Sequence, residues 1–380
     1  RDILCHRCGL PRHDLVWYLN KYSSEELMRT LKYLKPSAPF RYTLQYQNFM
    51  FALAGYLIEK VTNKRWHEYI DEVIIKPLGM ENTVFYTEDA EKIENRALAH
   101  DSTSGEIKQI PYFYFPQNST IGAAGSIFSN AKNLLKWVEF NLNNGNFKGE
   151  QIVSKKEITE CHTPQMINRT MFQNGLEEVD IQSYGFGWFI ESFKGHKIVH
   201  HGGNINGFSA MVGFMPSQNA GYAFLTNTNR SKLQGALLYS LFDLLLGNED
   251  FEVWNKKMSK AADGMEEQMK EAAEKFKLSC VKDSRHSFEL KVYTGNYSNP
   301  AYGDVEIVEQ NSQLILKSKL GVIPMKHLCV NTFVAETQLS GMDIFIPIEF
   351  KTDITGNITC AMIGLEAALK EGIKFNKIKI

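Results

Sequence analysis

From Phe288 to the C-terminus, apolar and polar residues alternate with a period of two, and this pattern constrains the fold most strongly. Successive side chains of a β-strand point to opposite sides, so the alternation indicates strands with one buried face. The predicted strands are Phe288–Tyr293, Asp304–Glu309, Gln313–Lys317, Val322–Leu328, Thr332–Ala335, Asp343–Lys351, Ile358–Ile363 and Ile373–Lys379. Short strands at this spacing predict a small β-barrel or sandwich.

The first two-thirds of the chain mixes helical and strand patterns, which predicts an α/β (α+β) domain over residues 1–250. The predicted helices are Phe49–Val61, Trp66–Ile75, Ser129–Leu142 with Ser129 as N-cap, and Leu233–Leu246. An antiparallel meander is predicted from strands Tyr184–Ile190, Lys197–His200, Phe208–Met215 and Tyr222–Thr226. A narrow apolar stripe over Val253–Leu278 predicts a connector helix within residues 251–282, with a calmodulin-type target or a coiled-coil arm as alternatives. The β-domain then covers residues 283–380.

The charge balance argues against a polyanionic partner. Lys and Arg number 42, Asp and Glu number 43, and the net charge is -1. A chain this neutral has no global field that would attract nucleic acid or an anionic membrane. No stretch reaches the roughly 18 apolar residues of a spanning helix, so we predict no transmembrane segment. The sequence predicts neither an oligomeric state nor a cellular location.

Neither the cysteines nor the histidines indicate a metal site. Cys5 and Cys8 form a C-x-x-C, but no second pair follows at zinc-binding spacing. We interpret the two as ordinary small residues at a helix end. His200 and His201 are adjacent on a predicted strand and therefore point to opposite faces, so they cannot chelate one ion. We predict no metal and no cofactor.

Tyr46 and Asn48 form the first cluster with chemical potential, directly ahead of the predicted helix Phe49–Val61. Two side chains at the lip of a helix can project into a cleft. A tyrosine can act as general acid or base, and an asparagine offers an amide substrate both a donor and an acceptor. The alternative is a capping asparagine beside a core tyrosine.

The second cluster is His200–Phe208, with the sequence HHGGNINGF. Glycines on a strand allow a ligand to approach the backbone closely. A backbone N–H at such a place can stabilise developing negative charge, and a neighbouring histidine can transfer a proton. The candidate residues here are His201, Gly202, Gly203, Asn204 and Asn206.

Four ordered landmarks resemble the class C β-lactamase and D-alanyl-D-alanine peptidase (penicillin-binding, esterase) family. Tyr46–Thr83 resembles the Y-x-N region, and His200–Phe208 resembles the K-T-G strand in its H-x-G variant. The opening RDILCHRCGLPRHD is similar to the family's RDLLSHRTGLPRHD segment, and Ala123–Ser126 with the following helix also fits. Residues 288–379 resemble a lipocalin-like β-domain that is often appended to these hydrolases. The resemblance implies a β-lactamase/transpeptidase-like domain, with an antiparallel sheet and a helical subdomain, plus a small C-terminal β-barrel.

The resemblance also implies residue roles in hydrolysis of an amide or ester through an acyl-enzyme. An S-x-x-K serine would attack the carbonyl. Tyr46 would share the base role and protonate the leaving group, and Asn48 would hold the substrate amide. His201 replaces the family's lysine beside Tyr46. Gly202 and Gly203 would let the acyl group lie along the strand, and the N–H of Asn204 would supply one oxyanion-hole donor.

The family places S-x-x-K upstream of the RDLL-type segment with which this chain begins. The resemblance therefore predicts that the nucleophile, its lysine and the first strands and helix of the fold are absent from these 380 residues. Two S-x-x-K matches, Ser129–Lys132 and Ser279–Lys282, occur in the wrong order relative to the other motifs, and we interpret both as structural.

Two functional hypotheses follow. The first is a serine hydrolase acting on a small-molecule or peptide substrate, a peptidase or esterase rather than an efficient β-lactamase because histidine replaces lysine at position 201. The second is a non-catalytic pseudoenzyme that binds a peptide or acyl ligand, motivated by the missing S-x-x-K. A third reading makes the β-domain a carrier of lipid or another small ligand, although a barrel this small is expected to fill its interior with side chains.

Overall fold

A computed structural model describes residues 1–102, 106–169, 176–229, 231, 233–248, 250–281, 284–339 and 342–378. The described residues form two compact units. The first comprises residues 1–10, 22–28 and 38–263, and the second comprises residues 11–21, 29–37 and 264–380. Within the described residues, no helix is both long enough and apolar enough to cross a bilayer.

The helices agree with most of the predicted periodicity. They are α1 (Asp14–Tyr18), α2 (Ser24–Thr30), α3 (Phe49–Thr62), α4 (Trp66–Ile70, continued by a π-helical turn to Ile75), α5 (Thr87–Ala90), α6 (Ala131–Leu142), α7 (Lys155–Cys161), α8 (Leu233–Leu245), α9 (Phe251–Ser279) and α10 (Leu290–Tyr293). Ser129 is not the N-cap of α6. The N-cap is Asn130, one residue nearer the helix, and its side-chain oxygen accepts a hydrogen bond from the N–H of Asn133. Cys5 and Cys8 lie in turns and bends rather than at a helix end.

The first unit is built on a six-stranded antiparallel sheet. The strands of this unit are β1 (His100–Asp101), β2 (Lys108–Gln109), β3 (Asn146–Phe147), β4 (Glu150–Gln151), β5 (Met166–Ile167), β6 (Val179–Tyr184), β7 (Phe189–Phe193), β8 (His196–Ile205), β9 (Phe208–Met215) and β10 (Ala220–Thr226). Strands β10 to β5 lie side by side in reverse chain order. The predicted meander is therefore confirmed, with one correction. The segment predicted as a single strand, Tyr184–Ile190, is instead the end of β6, a turn at residues 185–188 and the start of β7, and Gly187 adopts a left-handed conformation (φ 80°) in that turn.

Successive residues of the central strands face opposite layers. Ile198 of β8 packs with Trp254 and the apolar side of α8, whereas Val199 packs with Val138 of α6. His200 therefore faces α8, and His201 faces the other side. This alternation separates the two adjacent histidines, as the sequence predicted.

The second unit contains a closed eight-stranded antiparallel barrel, which confirms the predicted β-barrel. Its strands are β11 (Gly295–Asn299), β12 (Gly303–Gln310), β13 (Gln313–Ser318), β14 (Gly321–Cys329), β15 (Thr332–Leu339), β16 (Met342–Thr352), β17 (Ile358–Ile363) and β18 (Ile373–Lys377). One core cluster joins inward side chains that include Tyr297, Ile307 and Phe350.

The first predicted strand of this domain is wrong. Residues 290–293 form α10, and the first barrel strand, β11, begins two residues later at Gly295. The alternating segment Phe288–Tyr293 packs its apolar side chains against the barrel core without entering the sheet. Lys379, at the end of the last predicted strand, lies outside the described residues.

Candidate active site

The opening segment of the chain holds Tyr46 in place through a set of backbone and side-chain contacts. The N–H of Arg41 donates to the carbonyl of Arg7 (2.7 Å), and the N–H of Gln45 donates to the carbonyl of His6 (2.8 Å). Asp2 accepts hydrogen bonds from both Arg7 and Arg41. These guanidinium contacts lower the pKa of Asp2, so the carboxylate stays charged. Residues 1–9 and 38–47 thus form one support next to α3.

The ring of His6 packs against the ring of Tyr46. It is fully buried and adopts a left-handed backbone conformation (φ 54°). Its ring centroid lies 4.4 Å from Tyr46, 5.3 Å from Phe51 and 4.8 Å from Tyr184. The backbone N–H of Gln47 approaches His6 Nδ1 at 3.3 Å. His6 therefore belongs to the site, and the sequence analysis missed it.

Tyr46 and His201, separated by 155 positions in the sequence, come together in the structure. Their ring centroids lie 5.9 Å apart. Tyr184 lies against both rings, at 6.3 Å from Tyr46 and 5.9 Å from His201. Its hydroxyl and His201 Nε2 are 2.9 Å apart. The structure therefore forms an aromatic cluster of His6, Tyr46, Tyr184 and His201, which we call the tyrosine–histidine cluster.

The hydrogen bonds of His201 fix which ring nitrogen carries the proton. Nδ1 lies 2.7 Å from the carbonyl oxygen of Gly202, which can only accept, so Nδ1 donates. Burial raises the pKa of Tyr184 well above its usual value, so the Tyr184 hydroxyl keeps its proton and donates to Nε2. Burial also lowers the pKa of His201 to about 4, against an opposing contribution from Gly202. His201 is thus a neutral ring at pH 7 and carries no positive charge there.

Beyond His200, one edge of β8 has no neighbouring strand within the described residues. In the part of the chain that the structure describes, β7 begins at Phe189, opposite His200, and does not flank the rest of β8, whereas β9 continues alongside β8 to Ile205. A two-residue turn joins Ile205 to Phe208, and such a turn leaves its closing pair hydrogen-bonded across the hairpin. With a period of two, the backbone groups of Gly203 face β9, and those of Gly202 and Asn204 face the open edge.

Gly203 of β8 and Gly207 of the turn that follows β8 are glycines for different structural reasons. A Cβ on Gly207 would lie 2.3 Å from Ala99 Cβ, and its φ of 79° also requires glycine. A Cβ on Gly203 would meet nothing within 4 Å. Packing within the described residues therefore does not require glycine at position 203, which leaves room for another molecule there.

The remaining predicted residues lie around the same strand or at the start of α3. Asn48 occupies the N-cap position of α3, but its side chain makes no capping hydrogen bond, contrary to the capping alternative. The side-chain oxygen of Asn204 accepts a hydrogen bond from the Ser209 hydroxyl (2.8 Å). Asn206 lies in the turn between β8 and β9.

A second polar group lies on the opposite face of the sheet. His200 Nε2 is 3.1 Å from Glu191 Oε1, and the Tyr239 hydroxyl donates to Glu191 Oε2 (2.9 Å). Burial alone would raise the pKa of Glu191, but His200 and the hydrogen bonds from Gln182 and Tyr239 hold it below its usual value. No group of three or more ligating side chains surrounds a metal position in the part of the chain that the structure describes.

The S-x-x-K matches take part in local structure. The Ser129 hydroxyl is 2.8 Å from that of Thr83, and Lys132 is exposed in the first turn of α6. The Ser279 hydroxyl donates to the carbonyl of Phe276 at the end of α9, and Lys282 lies outside the described residues.

Solved structures of similar fold belong to penicillin-binding proteins and amidases. An octameric penicillin-binding protein homologue from Pyrococcus abyssi aligns with a TM-score of 0.52 at 21% identity, over 95% of this chain and 75% of its own. A D-amino acid amidase from Ochrobactrum anthropi aligns with a TM-score of 0.50 at 18% identity, over 69% of this chain and 71% of its own. These likenesses concern the fold.

The sequence comparisons identify the family. An unguisins hydrolase of Aspergillus campestris is 29% identical over 96% of this chain and 69% of its own length. Protein flp of Staphylococcus aureus is 26% identical over 51% of this chain and 34% of its own. Residues 280–377 match a family described as a domain of unknown function, DUF3471. Residues 1–244 match the family described as Beta-lactamase, and the chain therefore belongs to the β-lactamase family of serine hydrolases.

Proposed function

We propose that this chain supplies the acid–base and substrate-binding residues of a serine hydrolase that cleaves a small or peptide amide or ester through an acyl-enzyme. The observation that carries the proposal is the contact of Tyr46 with His201 beside the open edge of β8. A proton-transferring phenol and an unpaired strand edge are two parts that acyl transfer needs in one place.

Tyr46 is the proton-transfer residue in this proposal. It would take the proton of the attacking serine hydroxyl and return it to the leaving amine or alcohol. Its ring is held by His6, and the neutral His201 packs on another side. A fixed ring keeps the phenol oxygen in one position, which is the requirement for efficient proton transfer.

The edge of β8 would bind the substrate backbone. The N–H of Asn204 faces this edge and would donate to the carbonyl oxygen as it becomes negative. Gly202 and Gly203 would let the acyl group lie flat against the strand, since a Cβ at Gly203 would otherwise occupy free space. Asn48 would hold the substrate amide, and Asn206 would line the end of the same strand.

The neutral state of His201 bears on the type of substrate. A β-lactam or a C-terminal peptide presents a carboxylate near the scissile bond, and a cation at position 201 would stabilise it. Because burial holds the pKa of His201 at about 4, that attraction is missing at pH 7. We therefore propose that the substrates are esters or amides without a neighbouring carboxylate rather than β-lactams.

The nucleophile completes the proposal. In the family order it precedes the segment that begins at Arg1, and the serines of the two S-x-x-K matches, Ser129 and Ser279, make the local contacts given above. We therefore propose that the complete protein carries an S-x-x-K serine upstream of Arg1, which would attack the substrate carbonyl.

The test uses the protein expressed from its full natural coding sequence, with residues 1–380 alone as the control. A fluorophosphonate probe should label the complete protein and leave the control unlabelled. The complete protein should also hydrolyse an aryl ester faster than the matched ester that carries a carboxylate beside the scissile bond. A complete protein that binds such ligands without labelling or turnover would support the pseudoenzyme instead.

A further inference from the structure

Two free cysteines meet at one end of the barrel. Cys280 follows the last residue of α9, and Cys329 is the last residue of β14. Both thiols are free and half-buried, and their side chains are within hydrogen-bonding contact. Cysteines 49 positions apart come this close only because the fold brings the helix end onto the turn between β14 and β15.

Hydrogen bonds join the turn between β14 and β15 to the chain that follows α9. The N–H of Val330 donates to the Ser284 hydroxyl (3.0 Å), and the N–H of Ser287 donates to Asn331 Oδ1 (3.3 Å). The Tyr293 hydroxyl donates to the same Asn331 oxygen (2.6 Å). The turn that follows Cys329 is thus tied to the chain that follows Cys280, so the separation of the two sulfurs does not depend on the cysteines themselves.

The last turn of α9 is held on the barrel as well. The Phe276 ring lies 5.8 Å from that of Phe345, and Lys277 Nζ lies 3.3 Å from Glu336 Oε1. Val330 adopts a left-handed conformation (φ 47°), which is strained for a β-branched residue and is maintained by its surroundings. The pair is therefore held in place from both the helix side and the turn side.

Two histidines close in sequence to the cysteines could complete a metal site, but their hydrogen bonds to backbone carbonyls argue against one. His286 and His327 lie 5.5 Å apart, ring to ring. His286 Nδ1 lies 2.5 Å from the carbonyl of Phe288, and His327 Nε2 lies 3.1 Å from the carbonyl of Val330. Within the described residues, no three ligating side chains converge on one point. The cysteines therefore form a pair rather than half of a zinc site.

We propose that Cys280 and Cys329 are a disulfide site, oxidised by exchange with a small-molecule disulfide such as oxidised glutathione. In the first step, one of the two thiolates attacks the small disulfide, which forms a mixed disulfide and releases one small thiol. In the second step, the other thiolate attacks the protein sulfur of the mixed disulfide and releases the second small thiol. Two protein thiols lose two electrons and two protons, and one small disulfide becomes two thiols.

The position of the two thiols favours the second step. Burial, together with the adjacent Cys329, raises the pKa of Cys280. Each thiol already lies beside the other sulfur, so whichever cysteine carries the mixed disulfide is attacked by its partner.

The experiment treats the purified chain with excess oxidised glutathione and maps its peptides without reduction. The expected result is a cross-linked peptide pair containing Cys280 and Cys329, the loss of two free thiols and no retained glutathione at either position. Closing a loop of about 50 residues should raise the melting temperature of the barrel by about 10 °C, and dithiothreitol should reverse the shift.

Three variants complete the design. Cys280→Ser should retain one glutathione on Cys329 and show no thermal shift, because no thiol is left to resolve the adduct. Cys329→Ser should form no cross-link. Cys161→Ser, which removes a half-exposed cysteine of the other unit, should behave as the unchanged chain does. Separate glutathione adducts on Cys280 and Cys329 of the unchanged chain, or a cross-link that involves other cysteines, would overturn the proposal without depending on any variant.

Discussion

The six-stranded sheet and the barrel are both antiparallel, yet they treat their strand edges in opposite ways. In the barrel each strand has two neighbours, because β11 pairs with β18 and closes the ring. In the sheet, the end of β8 has β9 on one side and no described strand on the other. A closed ring leaves no backbone donors for a substrate, whereas an open edge offers them.

The two regions also differ in what they bury. The barrel interior is a single cluster of aliphatic and aromatic side chains, including Phe333, Ile346 and Phe350. Beside β8, the buried groups include the rings of His6 and Tyr184, and Glu191 on the opposite face. Apolar burial provides stability, whereas buried polar groups cost free energy unless they are paired. Substitutions in the barrel should therefore change stability, and those beside β8 should change turnover.

The largest expected effect is on the stability of the barrel. Phe350 is 2% exposed and its ring packs on Tyr293 at 4.9 Å. Phe350→Ala should lower the free energy of unfolding of the barrel by about 4 kcal/mol, because it leaves a cavity in a filled interior. Urea unfolding followed by circular dichroism measures the loss. Phe345→Ala, on the same strand but outside that cluster, is the control and should cost less. Equal losses would contradict a tightly filled interior.

The next largest effect is on catalysis. Tyr46→Phe should lower turnover of the complete enzyme by about 100-fold, the usual loss when one acid–base group is removed, with the melting temperature nearly unchanged. Tyr56→Phe is the matched control, because its hydroxyl donates to Glu25 on the exposed side of α3. The assignment of Tyr46 fails if both variants keep full activity.

Acid should destabilise the sheet unit through His201. Its pKa is about 4 in the folded protein and near 6.5 in the unfolded chain. The unfolded chain binds more protons between these values, so stability is fully present above pH 6.5 and falls as the pH decreases towards 4. Over this pH range the loss amounts to about 3 kcal/mol, since each pH unit between the two pKa values costs about 1.4 kcal/mol.

Urea unfolding at pH 7 and pH 4.5, followed by tryptophan fluorescence, measures this loss. His201→Gln should show a smaller loss of stability between the two pH values than the unchanged chain. His162 remains in both proteins with a pKa of about 4, so only the difference between them is informative. His196→Gln, which removes a surface histidine of the same strand, should keep the full loss. An unchanged difference between the two pH values in His201→Gln would contradict a neutral His201 ring in the folded protein.

The smallest expected effect tests whether the substrate binds along the open edge of β8. Gly203→Ala should leave stability within about 0.5 kcal/mol, since the added methyl meets no atom within 4 Å. It should nevertheless lower kcat/KM by about 10-fold, because the methyl occupies space proposed for the acyl group. Gly264→Ala, at an open position on α9, should leave activity unchanged. Full activity in Gly203→Ala would place the substrate elsewhere.

The sequence predicted those strands whose own residues alternate between apolar and polar. Alternation found seven of the eight barrel strands, and the predicted strand Phe208–Met215 has the observed bounds. It failed at Phe288–Tyr293, where alternating residues form a helical turn that packs beside the sheet, and at Gly295–Asn299, a mostly polar segment that becomes a strand through its partners β12 and β18. Tertiary pairing overrode the local pattern in both cases.

The site was predicted only in part for a related reason. Tyr46 and His201 belong to motifs that can be read in the sequence, and their contact supports pairing them. His6 lies within a C-x-x-C, which drew attention to the cysteines, and Tyr184 was predicted to begin a strand, Tyr184–Ile190, although it ends β6. Both enter the tyrosine–histidine cluster through long-range packing, for which local periodicity gives no signal.

The most direct test of the central claim is the single-turnover acylation rate of the complete protein with a chromogenic aryl ester, measured for the unchanged enzyme and for Tyr46→Phe. We expect a covalent acyl adduct on one serine upstream of Arg1, visible by intact mass, that forms about 100-fold more slowly in Tyr46→Phe. Equal acylation rates in the two proteins, or an adduct on a serine within residues 1–380, would contradict it.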